Sequence, residues 1–473
     1  MTSDNDSDTD SENLQAPNGG SQPGSGDVQA DALDRALGRA WYDDHAMELL
    51  ADLTELENRM GGSPGERRGA ELVAAAFEDA GLAEVRAEAF PMQYWERGST
   101  AFAVTDPVER SFEAIALPYS PPGDVEAPLV DVGYGTPEEI DEAGEDVRGA
   151  VVVASTTTPP GQRFVHRMEK FGHAAVAGAK AFVFANHVPG QLPPTGSLRF
   201  DAEAAMPGVG VSSETHHWLK RYAQEGARVR LRVDATTEEG SSQNVVGTLG
   251  PDTDEEVVLL AHYDAHDVAE GALDNGCGIA TVLGATRFLA DLEAHLECRV
   301  RIAGVGCEEV GLIGAEALAE TLDLESIRAV VNVDGAARFR NLKAYTHASE
   351  PLADLTRSTL ERFGQPLVEE PDPHPYSDHW PFLREGVPSL QLHSEAPDGG
   401  ERGRGWGHTE ADTLDKVDPR DVREHAMATA ILVRELTKGK VPRVESTELR
   451  ETLRERDYEP GMRAAAVWPE SWD

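Results

Sequence analysis

The chain has 473 residues, too many for one ordinary core, so two folded domains are expected. Hydrophobic residues make up 40 % of it, enough to bury a sizeable interior, which excludes a wholly disordered protein. Its net charge of -43 repels nucleic acid and anionic membrane surfaces, so neither is an expected partner. The 3 cysteines, Cys277, Cys298 and Cys307, are too few and odd in number for a disulfide framework. No apolar run approaches the roughly 18 residues of a transmembrane helix.

Residues 1–30 (MTSDNDSDTDSENLQAPNGGSQPGSG and a few more) have almost nothing to bury and read as a solvated acidic tail. They show no basic start, apolar stretch or twin arginine, so no signal peptide is read and a cytoplasmic location is expected. Helical periodicity follows through Trp41–Leu56 and Glu66–Ala80, with MGGSPG breaking the two, and residues 31–99 form the first part of the main domain. Residues 100–235 alternate short β-rich runs with Pro/Gly breaks. A strand ending VVVAS, a helix leading into AGAKAFVFAN and a following PGVGVSSE resemble the protease-associated domain, which implies an inserted, β-rich module.

Residues 236–440 carry the second part of the main domain. Buried-strand candidates are VVLLA (257–261), CRVRIAGVG (298–306), AVVNV (329–333) and SLQLH (389–393). Helix candidates GIATVLGATRFLADLEAH (278–295) and GAEALAETL (314–322) lie between them. This alternation predicts an α/β fold, a mostly parallel sheet with helices on both faces. Residues 441–473 are a C-terminal extension with a short surface helix, TELRETLRERDY, and a tail without a readable pattern.

Three of these strands run into ionisable residues at their C-terminal ends: His262-Tyr263-Asp264, Cys307-Glu308-Glu309 and Asp334. That edge is where open α/β sheets bind ligands. Asp274 and His408 stand in loops. His262, Asp274, Glu309, Asp334 and His408 suit two borderline metal ions such as Zn²⁺. An aspartate such as Asp274 can offer one oxygen to each ion. Adjacent Glu308 and Glu309 point to opposite sides if the strand continues, so one can ligate while the other faces a reactive water.

AHYDAHDVAEGALDNGCGIA, GCEEVGLIGAE, NVDG and GHTEADTLDKVD together resemble the zinc aminopeptidases with co-catalytic metals, relatives of bacterial leucyl aminopeptidase, carboxypeptidase Q and glutamate carboxypeptidase. The resemblance implies that His262 and Asp334 hold one ion, Glu309 and His408 the other, and that Asp274 bridges. It makes Glu308 the general base and lets Asp264 steady the His262 ring. It implies two Zn²⁺ per chain, with Co²⁺ or Mn²⁺ as substitutes, and a peptide substrate. His393 and His379 compete with His408 for the last ligand position. His266, His347 and His374 are read as surface or rim residues. Gly407 stands where some relatives have a carbonyl-polarising tyrosine, so Tyr376 or His379, in a YSDH run, is expected to supply that contact. Cys277 and Cys307 are read as small buried apolar residues.

The activity this implies is peptide hydrolysis, most simply by an aminopeptidase. The alternatives are a glutaminyl cyclase-like acyltransferase, which typically uses one metal, and an inactive binding protein, which would have lost ligands. Monomer and homodimer are both open. Only 7 of the 42 basic residues are Lys, and the acidic excess is spread along the whole chain, a composition that resembles proteins of salt-loving organisms.

Overall fold

The computed structural model describes residues 25–396 and 406–473. A helix begins at Ser25 and ends at Trp41, so order starts earlier than the composition suggested. The periodic stretch expected from residue 41 is the helix His45–Thr54. The helix Pro64–Asp79 starts where Ser63 Oγ accepts from Glu66 N and Pro64 occupies the first helical position.

The four strands expected in the second half are present as Glu256–His262, Arg299–Val305, Ile327–Val333 and Ser389–Glu395. They pair parallel in the order 389–395, 327–333, 256–262, 299–305. The first two of these strands in chain order are buried along nearly their whole length, which is why they read as continuous apolar runs. The helices Cys277–Asp291 and Pro419–Lys438 pack on this sheet and on each other.

The sheet does not stop at the domain edge. Strands Ala83–Asp106 and Arg228–Leu249 form an antiparallel ribbon that runs from the main domain into the insert. The inner end of Arg228–Leu249 pairs with Arg299–Val305, and its outer end pairs with Gly123–Asp131. From there the insert's strands Val151–Ser155, Ala181–Ala185 and Gly208–Val211 continue in parallel, so that one sheet passes through both parts. The boundaries read at 100 and 235 therefore fall inside two strands.

The C-terminal extension is also built in more deeply than its pattern suggested. Leu449, Leu453, Tyr458, Met462, Trp468 and Trp472 are buried with Met168 of the insert and with Leu312, Tyr376, Trp380 and Leu383 of the main domain. The insert helix Arg167–Val176 lies so close to the helix Glu459–Ala464 that a Cβ on Gly461 would stand 1.7 Å from Glu169 Oε2. A Cβ on Gly172 would stand 2.3 Å from the Ala464 carbonyl oxygen. This segment straps the insert to the main domain. Among the described residues no helix is long and apolar enough to cross a membrane.

Candidate active site

The parallel strands deliver their C-terminal residues to one end of the sheet, and a cavity of about 680 Å³ opens there. Asp274, Glu308, Glu309, Asp334 and His408 line it. His262 is wholly buried behind them, its Nε2 3.8 Å from Asp274 Oδ1 and 4.0 Å from Glu308 Oε2. The other oxygen of Asp274 faces the opposite way, 3.1 Å from His408 Nε2, which in turn is 3.4 Å from Glu309 Oε2. Asp274 thus stands between two groups of donors, with one oxygen toward each. His262, Glu308 and Asp334 make one compact group; His266, Glu309 and His408 make the other.

Asp264 does more than face the His262 ring, whose Nδ1 is 3.3 Å from its Oδ1. Its two oxygens accept from the backbone N–H of Glu308 (3.1 Å) and of Glu309 (3.2 Å), so one buried carboxylate sets both the ring and the glutamate pair. Asp412 does the same for the Asp274 loop, accepting from Leu273 N at 2.6 Å and Asp274 N at 3.1 Å. Arg338 donates from Nε to the Leu273 carbonyl and places a terminal nitrogen 3.0 Å from Asp274 Oδ1. Ser377 Oγ donates to Asp334 Oδ2 at 2.7 Å.

So many buried carboxylates perturb one another. Burial pushes Glu308 well above the usual carboxylate range, against the pull of His262. Burial pushes Glu309 up to about 7, against His408. Burial works to discharge His262, but Glu308, Asp264 and Asp334 outweigh it and hold the ring well above its ordinary value. Such a concentration of unbalanced negative charge is what a cationic ligand neutralises.

The residues fit metal ions. His262 Nε2 and Glu309 Oε1 are buried without a hydrogen-bond partner among the described residues. The donor set is imidazole and carboxylate throughout, the set that suits zinc.

Three expectations need correction. His266 is not a rim residue: it is 4 % exposed, its Nε2 lies 2.9 Å from Glu309 Oε2 and its ring meets His408 edge-on at 4.6 Å. His347 is wholly buried and stacked on His379 at 4.2 Å. His379 is also buried and does not line the cavity; its Nε2 is 2.7 Å from the His374 carbonyl oxygen, because the chain turns inward after Ser377 bonds Asp334. Tyr376 does line the cavity, but its hydroxyl donates to Glu169 of the insert at 2.8 Å and its ring stacks on His166 at 4.1 Å. His393 lines the cavity outside both donor groups. Cys277 and Cys307 are free and buried.

The insert reaches the site with its backbone and its side chains. Thr195 N donates to the His408 carbonyl at 2.8 Å, and Ser197 Oγ donates to the Glu309 carbonyl at 2.7 Å. Neither donor group contains an insert residue.

The sequence profile of peptidase family M28 matches residues 244–433, and that of the PA domain matches residues 125–219. The chain is similar to aminopeptidase YwaD of Bacillus subtilis, 25 % identical over 413 residues that take in 84 % of this chain and 86 % of that one. It is similar in structure to the aminopeptidase from Aneurinibacillus sp. strain AM-1, with a TM-score of 0.64 at 25 % identity, covering 86 % of this chain and 96 % of that one. It shares its fold with the peptidase M28 precursor from Shewanella amazonensis SB2B, with a TM-score of 0.72 at 21 % identity, covering 89 % and 99 %. The first profile spans the strand ends that carry the two donor groups and the second spans the module beside them: the chain is a peptidase of the aminopeptidase type, similar over residues 244–433 to peptidase family M28 and over residues 125–219 to the PA domain.

Proposed function

We propose that the protein removes the N-terminal residue from small peptides, using two zinc ions and Glu308 as general base. That it is a peptidase of the aminopeptidase type follows from the profile match over residues 244–433 and from its relatives. The two-ion reading rests on Asp274, whose oxygens face His262 on one side and His408 on the other. In this reading His262 and Asp334 would hold one ion and Glu309 and His408 the other, with Asp274 offering an oxygen to each.

Bound there, the ions supply Lewis-acid polarisation of the scissile carbonyl and a water acidified toward neutral pH. The chain's own residues do the rest. Glu308 lines the cavity and is tied by its N–H to Asp264, so its carboxylate stays aimed at the reacting centre. It takes a proton from the attacking water and passes it to the leaving amine. The carboxylates around it hold a protonated substrate amino terminus and disfavour a free carboxylate beside it.

The test is a panel of aminoacyl chromogenic substrates and N-blocked controls, run in molar salt with added Zn²⁺, Co²⁺ or Mn²⁺. Free-amine substrates are cleaved and blocked ones are not. Glu308→Gln lowers kcat by ~10²–10⁴-fold with both metals retained. One metal per chain would instead point to a cyclase, none to a binding protein, and cleavage of blocked substrates alone would reject the aminopeptidase reading.

A further inference from the structure

The ligand assignment above leaves out two members of the donor groups, Glu308, which has the role of base, and His266, which has none. Its Nε2 is 2.9 Å from Glu309 Oε2, yet neither of its ring nitrogens makes an aligned hydrogen bond among the described residues. A ring placed to donate to the glutamate would be in line with it. This one instead points to the same space as Glu309 and His408, and its ligand atom lies within 4.8 Å of theirs.

The ring is also held there. Ala265 N donates to the Arg59 carbonyl at 3.1 Å, and the Asp267 carboxylate is gripped by Arg97 at 2.6 and 2.8 Å, so the loop is pinned on both sides of His266. The edge-on contact with His408 fixes the remaining ring rotation.

We propose that His266 is a fourth protein ligand of the ion held by Glu309, His408 and Asp274. The inference rests on the two-ion reading above. It makes the two sites unequal. Two imidazoles and two carboxylates would give that ion four protein ligands, the number found in closed zinc sites. The other ion would have His262, Asp334 and Asp274 as protein ligands, with Glu308, the base, in the same group. The His266 site therefore fills first and empties last, and the His262 site carries the exchangeable, water-binding ion. The added imidazole also favours Zn²⁺ and Co²⁺ over Mn²⁺ at the closed site.

The experiment uses the full chain, stripped by chelator and titrated with zinc, with metal counted by mass spectrometry and the ring nitrogens followed in ¹⁵N-histidine NMR spectra. Binding of two ions upholds the two-ion reading and binding of none rejects it, whatever His266 does. At the first equivalent His266 and His408 take metal-bound ring shifts, and His262 follows at the second. His266→Phe weakens the first, tight binding step by ~10²-fold or more and leaves the second nearly unchanged. Two bound ions with the His266 ring shift unmoved in the wild-type chain overturn the proposal, and this reading needs no variant to fold. A His266→Phe chain with wild-type affinity at both steps overturns it as well.

Discussion

Glu66 is 1 % exposed, with its Oε2 accepting from Gly62 N at 2.6 Å and its Oε1 from Ser242 Oγ at 2.7 Å. Burial, reinforced by the charge of Asp264, pushes its carboxyl up to about 8. The fold thus keeps a proton that the unfolded chain releases above its ordinary pKa of 4.5. Stability from this group is complete at the acid end and is lost as pH rises through the window from 4.5 to about 8. Glu66→Gln removes that term. Relative to the variant, the wild-type chain should lose up to about 1.4 kcal/mol per pH unit between about pH 5 and about pH 8. Urea unfolding of both chains at saturating zinc measures it, and parallel pH curves would show that Glu66 is ionised in the fold. At this scale the sequence was legible where a residue ends an apolar strand, as His262, Glu308, Glu309 and Asp334 do. His266 was missed, although the alternation of an extended chain places His262, Asp264 and His266 on one side. Arg338 and Asp412 left no local signal, because each earns its place only through contacts with the Asp274 loop, far away in sequence.

The strap shows what pattern reading loses at the level of elements. Its helices Ser446–Glu455 and Glu459–Ala464 are mostly polar, and their few large residues find partners on two other parts of the chain. The strands of the catalytic sheet were readable because burial on both faces makes them uniformly apolar. The strap's tightness gives a direct test. Gly461→Ala puts a methyl group where Glu169 Oε2 stands, whereas Gly439→Ala meets nothing within 4 Å. The first should cost about 1–3 kcal/mol in overpacking. The second should stay within about 0.5 kcal/mol. Because Glu169 also holds Tyr376 at the cavity wall, Gly461→Ala should raise KM more than it lowers kcat. Denaturant unfolding and steady-state kinetics on the two variants check both statements, and indistinguishable behaviour would remove the strap from the argument.

Across the whole molecule, acidic residues exceed basic ones by 43, so the folded chain repels itself in dilute buffer. Salt acts on two opposed quantities. It weakens exposed pairs such as Arg230–Asp124, which water already screens. It also screens the general repulsion, shortening the Debye length from ~10 Å at 0.1 M to ~3 Å at 1 M. With so large an excess of one sign the repulsion dominates. The thermal midpoint and the activity should both rise from low salt to molar KCl at saturating zinc, and Glu308→Gln should show the same rise in midpoint. Equal midpoints at about 0.1 M and about 2 M KCl would remove the salt-loving reading of the surface. They would leave the buried donor groups untouched, since these lie beyond the reach of surface screening.

The ribbon that joins insert and catalytic domain has a consequence for how such a chain could have been assembled in evolution. Asp106 and Arg228, where the insert leaves and returns, are paired neighbours on the two strands, about 5 Å apart. A gene segment encoding a module with adjacent ends can enter there in a single event, because the ribbon only needs its tip reopened and every strand of the catalytic sheet keeps its register. What comes later is harder to reverse. Once Thr195 and Ser197 hold the His408 and Glu309 backbones, and Glu169 is wedged against Gly461, excising the module would take part of the active-site wall with it.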